Sequence, residues 1–251
     1  MTAPTSTSTD TTAFFGHPTG LSTLFFTEMW ERMSYYGMRA LLVLYMTLGM
    51  QEGGLGISVA SATAIYGLYT GAVYFMGLPG GWIADRMIGS QNAIWYGGII
   101  IMCGHLLLAI PNDSTFFIGL LFVVSGTGLL KPNIGALVGQ LYPIGDERRD
   151  SGYTLYYMGI NIGSIIGYLV CGWLQVNVGY HWAFGAAAVG MGAGLIQFRL
   201  SIGKLQGHGA NPTEKLSLTG IRRTKIAFVL VLALIAGLTS LGISEGLAIN
   251  P

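Results

Sequence analysis

The sequence predicts an all-α polytopic membrane protein, and three observations predict it. Of 251 residues, 52% are apolar and only 9% are Asp, Glu, Lys or Arg, against about 25% charged residues in an ordinary soluble domain. The apolar runs are long and carry Gly at helical spacing, unlike the ten-residue alternation of an outer-membrane barrel. The few basic residues gather in alternate loops. At about 20 apolar residues per crossing, the length holds about seven spans. Twelve basic residues against eleven acidic ones leave a net charge of +1, so bulk charge points to no nucleic-acid partner.

In chain order, residues 1–13 form a polar tail without the basic start and apolar run of a secretory signal, expected to be disordered. Residues 14–200 hold six helices, at about 21–48, 58–84, 92–110, 115–141, 152–174 and 181–200, each long enough to cross the hydrocarbon core or nearly so. Residues 201–224 carry Gly203, Gly207, Gly209, Pro212 and, counting His208, five basic residues, and they read as a cytoplasmic linker. Residues 225–251 supply one additional span, at 225–243, and the end of the chain.

Positive charge orients these spans, because Lys and Arg in short loops stay cytoplasmic. With the N-terminus inside, the inner loops hold Arg86, Arg148, Arg149, Arg199, Lys204, Lys215, Arg222, Arg223 and Lys225. The outer loops, around 50–57, 111–114 and 175–180, hold none. The expectation is a multi-pass protein of the cytoplasmic (inner) membrane with a cytoplasmic N-terminus. Cys103 and Cys171 fall inside spans and read as small apolar residues. The four histidines show no metal-ligand spacing, so no metal is expected, and His105 stands out only for lying within a span.

Three basic residues remain at hydrocarbon depth, Arg32, Arg39 and Lys131, together with Glu28 and Glu31. A charge at the bilayer centre costs about 2.5–3.5 kcal/mol on insertion scales, so the five must face one another or water. A helix turns by about 100° per residue, which places Glu28, Glu31, Arg32, Tyr35 and Arg39 together within a sector of about 100°. This single polar stripe runs about 16 Å along the helix. It reads either as an ion-pair knot that fixes the packing of the first span or as the wall of an aqueous pathway, and a continuous charged face suits the pathway better. Two carboxylates three residues apart with Arg32 beside them can exchange a proton for an ion pair. Arg39 offers a carboxylate a planar fork, and Lys131 a point charge. Together these describe a proton-coupled carrier of an anionic substrate.

The stretch FFGHPTGLSTLFFTEMWERMSYYGMRALLVLYM, residues 14–46, resembles the first helix of the proton-dependent oligopeptide transporters, marked by Glu-x-x-Glu-Arg followed by Tyr-Tyr-Gly. Here these are Glu28, Glu31, Arg32, Tyr35, Tyr36 and Gly37. GGWIADRMIG, residues 80–89, resembles the loop between helices two and three of the wider major facilitator superfamily. GLLKPNIGALVGQLY, 128–142, and YTLYYMGINIGSIIG, 153–167, resemble the family's fourth and fifth helices.

The resemblance implies the N-terminal six-helix bundle of the major facilitator fold plus about one further span. It implies uptake of di- and tripeptides driven by the proton gradient, with no cofactor and no enzymatic reaction. It assigns proton coupling to Glu28, Glu31, Arg32 and Lys131, and peptide contact to Tyr35, Tyr36, Arg39, Tyr74, Lys131 and Asn161. Asp85, Arg86 and Pro132 take gating or structural roles. Met33 stands where an aromatic is common, a change expected to affect packing only.

Alternatives stay open at two of these positions. Tyr74 shares its helix with Tyr66 and Tyr69, any of which could be a packing aromatic. Asn161 lies among Gly159, Gly163 and Gly167, a spacing that lets helices approach closely, so its amide could bond between helices instead.

The family has twelve core helices in two halves, and the match covers only the first half. The expected partners are small peptides, protons, the lipid bilayer and a C-terminal half or full-length homologue. The alternatives are a truncated, non-transporting membrane protein, as a remnant or a regulatory partner, and a different solute:proton symporter of the same superfamily.

Overall fold

The computed structural model describes residues 14–213 and positions 219, 220, 226, 229, 230, 233 and 237. The tail 1–13 and most of the additional span at 225–243 lie outside the described residues, as do Lys215, Arg222, Arg223 and Lys225. Six long helices follow in order: α1 (Thr19–Thr47), α2 (Val59–Ile83), α3 (Ser90–Leu108), α4 (Asp113–Gln140), α5 (Arg148–Asn177) and α6 (Tyr180–Ser201). All six spans expected from hydropathy are present, with ends shifted by a few residues. Helices α2 to α6 are long and apolar enough to cross a membrane. Helix α1 matches them in length, and its four charged residues set it apart.

Local chemistry marks the helix ends. Asn112 caps α4, its Oδ1 accepting the amides of Ser114 and Thr115 at 3.0 and 3.3 Å. Ser58 caps α2 through the Ser61 amide at 3.2 Å. The loop expected at residues 80–89 is mostly helical: α2 runs into a π-helical turn, Ala84–Ile88, which carries Asp85 and Arg86. Gly89, at φ +80°, stops it. No side chain fits there, because a Cβ would lie 2.8 Å from the Ala210 carbonyl oxygen.

Helix α1 packs between α5 and α6, α3 packs on α4 and α6, and α2 packs on α4. Backbones meet where glycine removes the side chain. On α5, Gly159, Gly163 and Gly167 face α1, and a Cβ at Gly163 would overlap the Met29 carbonyl oxygen. Met33, in the same contact zone, places its sulfur against Gly190 of α6. Pro132 has no N–H, so it leaves the Gly128 carbonyl without its helical partner. Helix α2 passes close to that carbonyl, since a Cβ on Gly80 would overlap it.

One end of the bundle is tied together by segments that carry no hydropathy signal. Residues 202–210, the start of the expected linker, fold back onto the helices. A 3₁₀ turn, Ile202–Leu205, buries Leu205 completely. Gln91 then donates its backbone amide to Gly209 at 2.9 Å and its side-chain amide to His208 at 2.8 Å. Along α1, Thr19, Thr23 and Thr27 bond Lys204, Ser201 and Gln197 at 3.4, 3.1 and 3.0 Å. The opposite kind of surface lies on α2 and α5, where Leu68, Phe75, Leu78, Ile165, Leu169 and Trp173 are exposed.

Candidate functional site

The carboxylate end of the stripe on α1 is buried. Glu28, Glu31 and Arg32 expose 2% or less of their surface. Arg32 Nε lies 3.1 Å from Glu28 Oε1 and also donates to Glu31 Oε2, so one guanidinium serves two carboxylates. Tyr156 of α5 is buried and lies beside Glu28. Three polar atoms of the cluster, Glu28 Oε2, Glu31 Oε1 and Arg32 Nη2, have no hydrogen-bond partner among the described residues. By formal charge the cluster is one positive charge short of neutrality. Burial makes that deficit costly, and a proton or a second cation corrects it.

The stripe continues through aromatic rings. The Arg32 guanidinium carbon stands 5.0 Å from the centre of the Tyr35 ring and 5.9 Å from that of Tyr36. Arg39 approaches Tyr35 at 5.9 Å, so one ring lies between two guanidiniums. Arg39 is half-buried, donates from Nε to the Tyr66 hydroxyl and stands 5.4 Å from that ring. Lys131 projects from α4 with its ammonium 4.9 Å from the Tyr74 ring centre, and its charge reaches Glu31.

The fold therefore gathers Glu28, Glu31, Arg32, Tyr35, Tyr36 and Arg39 on one wall, with the Lys131–Tyr74 pair beside it. Tyr74 is exposed, as is Asn161. The Asn161 amide donates to the Tyr157 carbonyl at 3.2 Å within its own helix and does not lie on the glycine face that meets α1. Asp85 is exposed and Arg86 is half-buried on the π-helical turn. Pro132 is half-buried within α4, one residue after Lys131.

Two participants are not singled out by the sequence. Tyr66 reads there only as a possible packing aromatic, whereas it is the hydrogen-bond acceptor for Arg39. Tyr156 shares the α5 face of Gly152, Gly159 and Gly163 at spacings of four, three and seven residues, and that helical register is the available signal.

A six-helix membrane bundle with buried charge on one wall has the architecture of half a solute carrier. The sequence pattern of the POT family matches residues 91–218, just over half of the chain, and the chain belongs to that family. It is 44% identical to the peptide transporter YePEPT of Yersinia enterocolitica over 95% of this chain and 48% of that protein. Against a di-/tripeptide transporter of Lactococcus lactis the identity is 49%, over 71% of this chain and 36% of that one. An uncharacterized transporter of Bacillus subtilis, YclF, is 46% identical over 91% and 48% respectively. A crystal structure of a peptide transporter POT in complex with sulfate superposes with a TM-score of 0.85 at 44% identity, covering 94% of this chain and 48% of that one. The chain spans about half the length of the curated relatives it matches, and its fold is the N-terminal half of a major facilitator transporter.

Proposed function

We propose that this chain forms the N-terminal half of a proton-coupled transporter of di- and tripeptides and works with a C-terminal half across an inner membrane, its own N-terminus cytoplasmic. One observation carries the reading: two buried carboxylates share the single guanidinium of Arg32. Protonation of Glu31 releases Arg32 from one partner, and deprotonation recaptures it. Tyr35 and Tyr36 pass that rearrangement along the stripe to Arg39. Arg39 and Lys131 hold the peptide carboxylate, and Tyr74 and Asn161 meet the peptide from the exposed side of the bundle. Asp85 and Arg86 shape the end of α2, and Pro132 the course of α4, where these helices move against the other half. The exposed apolar surfaces of α2 and α5 suit such a partner.

A relative of known structure holds 5-aminolevulinic acid, a small molecule with a carboxylate and an amine, as in a peptide. The carboxylate is the shared feature that Arg39 and Lys131 are suited to hold. The test is uptake of a labelled dipeptide into proteoliposomes under an inward proton gradient. This chain is reconstituted alone and with the C-terminal half of the Yersinia relative. Accumulation only in the paired sample is expected, and no accumulation in either removes the transport reading.

A further inference from the structure

Behind the charged stripe, α1 and α6 line an open groove of about 810 Å³. The helical repeat places its α1 residues Ser22, Phe26 and Trp30, at intervals of four, on the side of that helix opposite the stripe. Helix α6 supplies Ala193, Ile196, Gln197 and Leu200 at helical spacing. The groove thus opens away from the buried charges, and its walls include exposed Phe26, Ile196 and Leu200.

Its chemistry changes along its length. From Ser22 to Trp30 it runs about 12 Å along the helix, the scale of the upper part of an acyl chain. Trp30 and Ala193 line one end, with exposed Ile196 on the wall beside it. Ser22, Ser201 and Lys204 line the other, where the bundle ends. Lys204 is exposed, and among the described residues no acidic side chain lines the groove. Gln197 is held in place by Thr27 and by Ser201, at 3.0 and 2.9 Å, so the polar end is structured.

We infer that this groove binds an anionic phospholipid, its headgroup against Lys204 and one acyl chain descending past Phe26 to Trp30. The gradient from ammonium to aromatic and aliphatic wall matches an amphiphile with a negative end, and a basic lining residue without an acid beside it selects against a zwitterion. The assignment of the site to the cytoplasmic leaflet rests on the orientation proposed above. The binding itself does not, and it is independent of peptide transport.

Trp30 makes the site observable. In the full chain with Trp82, Trp95, Trp173 and Trp182 replaced by Phe, Trp30 fluorescence is measured in vesicles of brominated phosphatidylglycerol mixed with phosphatidylcholine, and in the converse mixture. Preferential quenching by the anionic lipid is expected, about fivefold in relative affinity, falling at high salt and approaching unity in Lys204→Gln. A sister protein retaining only Trp173, on the exposed face of α5, is expected to show no preference in either background. Equal quenching of Trp30 by both lipids, a preference unaffected by Lys204→Gln, or no quenching by either lipid overturns the inference. Native mass spectrometry with all tryptophans retained provides the same comparison should the single-tryptophan protein not fold. Loss of phosphatidylglycerol adducts in Lys204→Gln is the expected result, and their retention contradicts it.

Discussion

His17 and Tyr142, 125 residues apart, are joined at one end of the bundle: the imidazole Nδ1 lies 2.9 Å from the phenol oxygen, and the contact is buried. Arg148 completes the join by donating to the Gly16 carbonyl at 3.2 Å while holding Asp146 through contacts of 3.0 and 2.7 Å. The segment before α1 is thereby strapped to the turn between α4 and α5. Burial, and then the neighbouring Arg148 charge, push His17 below its ordinary value, with Asp146 opposing. Hydrogen bonds from Arg148 hold Asp146 down to about 2, so it stays ionised in the range where histidine titrates.

The strap therefore depends on pH with a definite sign. A histidine whose value is lowered on folding binds more protons unfolded, so its contribution is complete above the unfolded value of 6.5 and declines as pH falls below it. His17→Ala is expected to lower stability by about 1 kcal/mol near neutral pH, the scale of one hydrogen bond. The penalty should shrink on acidification to the mid-fives. Melting temperatures of both proteins in detergent across that range check this, and a constant penalty would contradict it.

Helix α5 offers a matched pair of glycines. Gly163→Ala puts a methyl group where the Met29 carbonyl oxygen stands, whereas a methyl at Gly172 meets nothing within 4 Å. The first substitution should cost about 1–3 kcal/mol through forced separation of α1 and α5. The second should be neutral in the same thermal unfolding assay. Equal effects would mean that α1 and α5 do not meet as described.

Tyr66→Phe removes the hydroxyl that accepts from Arg39 and keeps the ring beneath the guanidinium. Hydrogen bonds to charged groups contribute about 1.5–3 kcal/mol, so the apparent KM for dipeptide should rise about tenfold or more, with little change in maximal uptake. Loss of maximal uptake at unchanged KM would place Tyr66 in the conformational change instead of in the positioning of Arg39.

Glu31→Gln keeps the shape of the cluster and removes a carboxylate that can take up a proton. Uphill accumulation of dipeptide should be lost while exchange between equal concentrations continues. Persistence of uphill accumulation would remove the coupling role from this carboxylate.

The six spans and the charged face of α1 are legible in the sequence because both depend on short-range periodicity. Hydropathy marks a helix that lipid must tolerate, and the helical repeat places Glu28, Arg32 and Arg39 together whatever surrounds them. The glycines of α5 announce a close contact by their spacing, although not that Met29 faces Gly163. The His17–Tyr142 strap, the return of Leu205 into the bundle and the pairing of Arg39 with Tyr66 are not legible. Each joins residues far apart in the chain, and none repeats at a helical interval. The stretch 80–89 reads as a loop only through its resemblance to the superfamily's loop between helices two and three. Instead a π-helical turn carries Asp85 and Arg86 as a continuation of α2 up to Gly89.

In the function proposed above, the buried Glu28–Glu31–Arg32 cluster exchanges a proton as peptide crosses. Its most direct test is proton movement in vesicles holding this chain together with a C-terminal half. A trapped pH dye is followed when dipeptide is added outside with no imposed gradient. Dipeptide should acidify the lumen, and Glu31→Gln should abolish the acidification while labelled dipeptide still exchanges. Dipeptide accumulation without acidification, or acidification that persists in Glu31→Gln, would contradict this role for the cluster.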